Sequence, residues 1–240
     1  MPYRVVVDLS HNEQLEDFPE FSLGEDGYEV DYIDKNESFD DYDLEDYDIL
    51  FIGNIQHNNK DDKFTPDQLQ DIKKFVGEGG GLLLTSGAGG DLDVPMKQGS
   101  IRVLYKLTGV RRFWNGTILE SHSNFLVKKE NVLITELFSH PITKGITELV
   151  LPNTTFFNLT EEEVEDLILT SEKAEFQYFS DDDHDEVGKV PICVVSNFFN
   201  GRCVTIGSSD WMEEGNDFGL DAGDNLKFLD NIIKWLSFEP

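Results

Sequence analysis

Cysteine is nearly missing from this chain. The two present, Cys193 and Cys203, exclude a disulfide framework. A reducing, cytoplasmic setting is therefore expected, with both read as buried structural thiols. Cations are also scarce. Lys and Arg total 19 against 48 Asp and Glu, for a formal net charge of -29 over 240 residues. That balance excludes a phosphate-tracking surface, so nucleic acid is not an expected partner. It equally excludes a basic patch held on anionic lipid. Long apolar runs are absent too. No stretch approaches the roughly 20 residues of a membrane span, and MPYRVVVDLSHNE lacks the apolar core of a signal peptide. No membrane insertion is expected.

What is present argues for a folded chain. The hydrophobic fraction is 39%, with 18 Phe and 3 Trp, which a disordered acidic tail would lack. Salt adaptation is a weak explanation for the acidity, because most of the cations are lysine. No internal repeat or flexible linker appears, so residues 1–240 read as a single domain.

Tyr3 to Asp8 reads as a buried strand, and Gln14 to Leu23 as a helix interrupted by Pro19. Tyr28 to Ile33 suits a second strand. The acidic link Asp40 to Asp48 runs into the continuous apolar strand Ile49 to Gly53. Thr65-Pro66-Asp67-Gln68 is a strong helix start: an N-cap threonine, proline at the first helical position and glutamine three residues on. Leu69, Ile72 and Val76 share one face of that helix, and Gly77, Gly79, Gly80 and Gly81 end it. Leu82 to Ser86 is the next strand. Strand, helix and strand with short connections predict a right-handed parallel sheet.

The middle, from about 96 to 185, is less regular. Ile101 to Leu107 reads as a helix, and Asn115 to Val127 and Glu130 to Ile134 as extended pieces. Asp181 to Glu186 reads as a solvated acidic loop. Val190 to Val195 and Arg202 to Ile206 are apolar strands joined at Asn200-Gly201, a hairpin signal. Asp224-Asn225 opens a closing helix with Leu226, Leu229, Ile232, Ile233 and Leu236 on one side. The fold class expected is α/β: a three-layer, flavodoxin-like sandwich with a mostly parallel sheet and a small insertion at about 110–185.

FTPDQLQDIKKFVGEGGGLLLTSGAGG resembles the stretch of class I glutamine amidotransferase-like proteins in which a capped helix, a glycine cluster and a buried strand deliver the nucleophile loop. NGRCVTIGSSDW with GDNLKFLDNIIKWL is similar to the last strand and helix of non-catalytic members. Those include trehalose-utilisation-type proteins, gliding-transporter-associated domains and ciliary GIFT domains. HPITKGI recurs in such proteins as well. The catalytic pattern needs a cysteine on the sharp strand-to-helix turn. This turn reads Ser86-Gly87-Ala88-Gly89. The resemblance therefore implies a non-catalytic module rather than an enzyme.

Ligands of open parallel sheets sit beyond the carboxyl ends of the strands. Those ends supply Asp8, Ser10, His11 and Asn12; Asn54 and His57; Ser86, Gly87, Ala88 and Gly89; and Ser208, Ser209, Asp210 and Trp211. The set could hydrogen-bond a small polar ligand, a carbohydrate among the options, and stack it on Trp211. The bland reading is that Ser, Asn, Asp and Gly simply form turns and caps.

Ser86 with His11, backed by Asp8 or Glu13, would make a hydrolase if the two met, although G-x-S-x-G is absent. No metal is expected. His11, His57 and Asp8 or Asp210 lack ligand spacing, and Asp181 to Glu186 lacks the glycine and distant glutamate of a calcium loop. No cofactor is expected, since neither a dinucleotide fingerprint nor a Walker lysine is present. Tyr42, Tyr47, Trp114, Phe198, Phe199 and Trp211 are the aromatics expected near the surface, where a protein partner could dock. Three functions remain open: a binding module for a small polar ligand or a protein partner, a hydrolase, and a structural subunit of an assembly. The sequence is silent on oligomeric state.

Overall fold

Three consecutive valines, Val5, Val6 and Val7, can be buried on both sides only inside a sheet that is covered on both faces. A computed structural model of the chain describes residues 3–11, 27–53, 64–88, 104–160, 164–178 and 184–238, and places them in such a sheet. Strand β1 (Tyr3–Asp8) lies between β2 (Tyr28–Ile33) and β3 (Ile49–Ile52). Helix α1 (Pro66–Glu78) then leads to β4 (Gly81–Thr85), which pairs with β3.

Eight short strands follow: β5 (Val110–Phe113), β6 (Gly116–Leu119), β7 (Asn131–Ile134), β8 (Leu149–Pro152), β9 (Phe157–Leu159), β10 (Val164–Leu169), β11 (Glu175–Tyr178) and β12 (His184–Glu186). The chain returns to the main sheet through β13 (Pro191–Phe198) and β14 (Gly201–Ile206), and closes with the helix Asn225–Leu236.

The seven-stranded sheet runs β2-β1-β3-β4-β14-β13-β10. The first five strands are parallel, β13 runs antiparallel to β14, and β10, antiparallel to β13, runs in the direction of the first five. The order reverses between β1 and β3, which is the switch point of a flavodoxin-like sheet. The α/β sandwich expected from the sequence is therefore the observed fold.

Strand alternation sorts the core into two halves. Val6, Leu50, Ile52, Leu82 and Leu84 face α1, which buries Leu69, Ile72, Phe75 and Val76 against them. Val5, Val7, Phe51 and Leu83 face the closing helix and the insertion strands. Each fully buried large side chain contributes about 1.5–3 kcal/mol by leaving water.

Several details differ from the sequence reading. Leu226 is exposed, and Phe228 takes the inward position of the closing helix. The β13–β14 turn is Phe199-Asn200, because Gly201 already pairs with Phe198. A Cβ on Gly201 would lie 2.0 Å from the Val76 carbonyl, so the glycine marks close approach to α1 rather than the turn itself. The insertion is not wholly separate, because β10 extends the main sheet. The acidic link at 40–48 contains two 3-10 turns that bury Phe39 and Leu44. His184 to Glu186, read as loop, is a short exposed strand. The helix expected over 101–107 is one turn, Tyr105–Thr108, with 101–103 outside the described residues. The helix expected over 14–23 also lies outside them. Among the described residues, no helix is long and apolar enough to cross a membrane.

Candidate functional site

The carboxyl ends of β1, β3, β4 and β14 form one edge of the sheet. Asp8 ends β1 with no exposed surface, and both its oxygens have hydrogen-bond partners. Oδ1 accepts from the Ser10 amide at 2.9 Å and the Ser10 hydroxyl at 2.7 Å. Oδ2 lies 2.7 Å from His11 Nδ1. A short Asx-type turn thereby folds His11 back over the strand end.

The His11 ring packs on Phe64, with centroids 3.9 Å apart, and meets the edge of Phe39. Its Nε2 faces Gln68 Oε1 at 3.4 Å. Gln68 belongs to the capping box of α1. Its Oε1 accepts the Thr65 amide at 2.8 Å, while Thr65 Oγ1 accepts the Gln68 amide. That bond fixes which end of the Gln68 amide is oxygen. Both imidazole nitrogens therefore face acceptors.

Ser86 follows β4. It is fully buried, its amide donates to the Ile206 carbonyl, and its hydroxyl makes no hydrogen bond among the described residues. The Thr85 and Thr205 hydroxyls nearby share that state. Asp8 pairs in register with Ile52, Ile52 with Leu84, and Leu84 with Thr205. Two apolar side chains thus separate the polar groups, and β3 lies between Asp8 and Ser86. Two strand spacings amount to about 10 Å. Ser86 and His11 are not brought into a hydrogen bond.

The β14 end is closed. The Thr155 amide donates to the Gly207 carbonyl at 2.7 Å, and the Ser208 hydroxyl bonds the Pro152 carbonyl. Asp210 accepts from Asn153, and Ser209 lies against Asp210. Trp211 was expected to stack a ligand at the surface. It has 0% exposure and packs against Phe228 in the core. Ser208 and Trp211 therefore hold the insertion onto the sheet and do not line an open site.

Of the other expected site residues, Gly87 is buried and Ala88 half-buried beside Ser86. Asn12, Asn54, His57 and Gly89 lie outside the described residues. Among the described residues, no group of three or more His, Cys, Asp or Glu gathers as a metal site. Both cysteines are buried, which pushes their thiols up, Cys203 to about 12.

Sequence reading missed Thr85, Thr205 and Gln68. The two threonines looked like strand residues. The glutamine was visible only as a helix cap, and nothing local to it announces a second contact 57 residues away.

Comparison with known proteins agrees with this architecture. The ThuA family model, described as trehalose utilisation, matches residues 7–210. No curated protein matches. Among solved structures, the mmIFT52 N-terminal domain superposes with a TM-score of 0.71 at 16% identity, covering 97% of each chain. A ThuA-like protein from Bacteroides uniformis gives 0.58 at 18% identity, covering 98% of this chain and 91% of its own. A cytoplasmic protein from Salmonella typhimurium LT2 gives 0.55 at 18%, covering 98% and 99%. At these identities the structural likenesses speak for the fold alone. The family match, which takes in most of the sheet and the strand ends at its carboxyl edge, is what places the chain: it belongs to the ThuA, trehalose-utilisation, family.

Proposed function

We propose that the chain is a non-catalytic binding module of the amidotransferase-like fold. It takes a small polar ligand at the carboxyl edge of β1, β3 and β4. The family description makes a carbohydrate the first class to test.

The observation that carries this reading is the Ser86 hydroxyl. It stands on the turn where catalytic relatives need cysteine, it is buried, and it is bonded to nothing among the described residues. A nucleophile needs a base within hydrogen-bond reach. His11 is the described histidine of the strand-end set, and its two nitrogens face Asp8 and Gln68. A recognition group needs only unspent hydrogen-bonding capacity, because a buried hydroxyl left alone costs about 1–3 kcal/mol. Small neighbours at Gly87 and Ala88 suit close approach of a ligand to the backbone.

Titration calorimetry with trehalose, other disaccharides and primary amides tests the proposal. Saturable binding is expected, weakened about tenfold by Ser86→Ala with the melting temperature kept. Turnover of any of these compounds that disappears with Ser86→Ala would overturn it. So would the absence of binding across the panel.

A further inference from the structure

The opposite, amino-terminal edge of the sheet carries a second feature. Phe199 is 85% exposed and Phe238 is 43% exposed. Both have positive φ, 51° and 62°. Phe199 is the first turn residue between β13 and β14, and Phe238 follows the C-cap of the closing helix. Glycine is the norm at positive φ in both settings. A bulky residue there strains the backbone. Exposing each ring to water adds to that cost. Val127 combines the same two properties, φ 63° and 82% exposure, but Phe199 and Phe238 are aromatic and both lie at the end of α1.

The two rings flank the carboxyl-terminal end of α1. The Phe199 turn rests on the end of α1: the Asn200 amide points at the Gly77 carbonyl, and a Cβ on Gly77 would lie 3.7 Å from both Phe198 and Phe199. Gly201 packs on Val76 and Gly80, and its neighbour Arg202 lies 3.9 Å under the Phe238 ring. A cleft of about 360 Å³ opens beside Phe238, walled by Tyr47 and Phe75 and rimmed by Glu45, Asp48 and Glu78.

The charge of this edge is negative. The last turn of α1 holds no basic residue, so its carbonyl end is uncompensated. The cations around the cleft are engaged, while Lys106 stands apart from it, exposed beside Phe199. Lys74 pairs with Glu45 and Glu78, and Arg202 donates to the Trp235 carbonyl at 2.7 Å. Arg4 lies over Tyr47 and donates to the Asp46 carbonyl. A second copy of this chain would bring another -29 to the contact.

We infer that this edge docks a cationic, apolar-faced segment of another protein. Its aliphatic side chains would cover Phe199 and Phe238, and its Lys or Arg would meet Glu45, Asp48 and Glu78. The surface is distinct from the strand-end ligand site and stands or falls separately.

Fluorescence anisotropy with a labelled peptide of alternating leucine and arginine tests it on the full chain. Binding is expected to weaken about tenfold in Phe199→Gly and in Glu78→Gln, the loss of one anchor each. Phe199→Gly should fold at least as well as the parent, because glycine relieves the positive φ. Asp217→Asn, an exposed charge change elsewhere, should bind like the parent. Equal binding by all four proteins would reduce the effect to diffuse charge and overturn the proposal. A concentration-dependent dimer that Phe199→Gly dissolves in sedimentation would overturn it in favour of self-association.

Discussion

His11 Nδ1 sits 2.7 Å from Asp8 Oδ2, and both side chains are shut off from solvent. The pair is local, three residues apart, yet it ties the end of β1 to the start of α1 through Gln68. Its first role is structural: it satisfies a carboxylate at the buried end of β1.

Asp8→Asn tests that role. The substitution keeps the shape and leaves one acceptor oxygen for three donors. Breaking a buried, hydrogen-bonded pair costs about 3 kcal/mol. For a chain of this size that is a fall of roughly 6–12 °C in melting temperature. Ser10→Ala removes one neutral donor and should cost about 1 kcal/mol. Thermal denaturation by circular dichroism measures both. An Asn variant as stable as the parent would show that the pair is dispensable.

The closing helix gives a sharper contrast. Phe228 is fully buried against Trp211, whereas Leu226 is half out in water. Phe228→Ala should cost about 3–5 kcal/mol, the transfer loss plus a cavity. Leu226→Ala should change stability by less than about 0.5 kcal/mol. Urea unfolding midpoints decide the matter, and equal effects would contradict the helix rotation described above.

That contrast also shows what the sequence could say. Local signals were legible: the Thr65 cap, the valine run and the apolar closing helix all stand where they were expected. Rotation of the helix was not, because Leu226 and Phe228 are equally apolar and only packing chooses between them. Trp211 was misplaced for a related reason. A tryptophan in a Gly-Ser-Ser-Asp turn looks solvent-facing until the insertion is seen to cover that strand end. The Asp8–His11 contact was within reach of sequence, being three residues long. The Gln68 contact was not, since it depends on how α1 crosses the sheet.

The two thiols should be inert in the folded protein. Burial raises both above the ordinary range, Cys203 to about 12 even with Ser196 opposing the shift. The thiolate is the reactive form, so labelling must wait for opening of the sheet. Native protein mixed with a disulfide reagent at pH 8 should release no chromophore on the minute scale, and both thiols should react at once in denaturant. Fast labelling without denaturant would contradict the placement of β13 and β14.

Stability in acid should depend on Asp224. Its carboxylate accepts from the Thr147 amide at 2.7 Å, the Thr147 hydroxyl at 2.8 Å and the Glu148 amide at 3.3 Å. These bonds, the Thr147 amide foremost, hold its pKa below the ordinary 3.8. A folded value below the unfolded one means the stabilisation is complete above about pH 4 and is lost as pH falls through the lowered value. The melting-temperature gap between parent and Asp224→Asn should be constant from neutral pH down to about pH 5, then shrink below pH 4. A gap that widens in acid would reverse the sign and exclude this assignment.

Gly207 decides whether the β14 end is truly closed. A Cβ there would stand 2.0 Å from the Thr155 carbonyl, which is backbone and cannot swing aside. Thr155 in turn donates to the Gly207 carbonyl, and Ser208 reaches the Pro152 carbonyl, so the 152–155 strap and the strand end hold each other. Gly207→Ala must push the strap off the sheet, at a cost of about 1–3 kcal/mol, as for other overpacked sites. Hydrogen exchange should quicken at the Thr155 amide before it does in β1 or β3, because the break is local. Ser209→Ala, which removes a hydroxyl that donates to Asp210 beside it, should leave exchange at Thr155 unchanged. An alanine at 207 tolerated without loss would mean the strap does not seat there, and residues 208–211 would return as candidates for lining the ligand site.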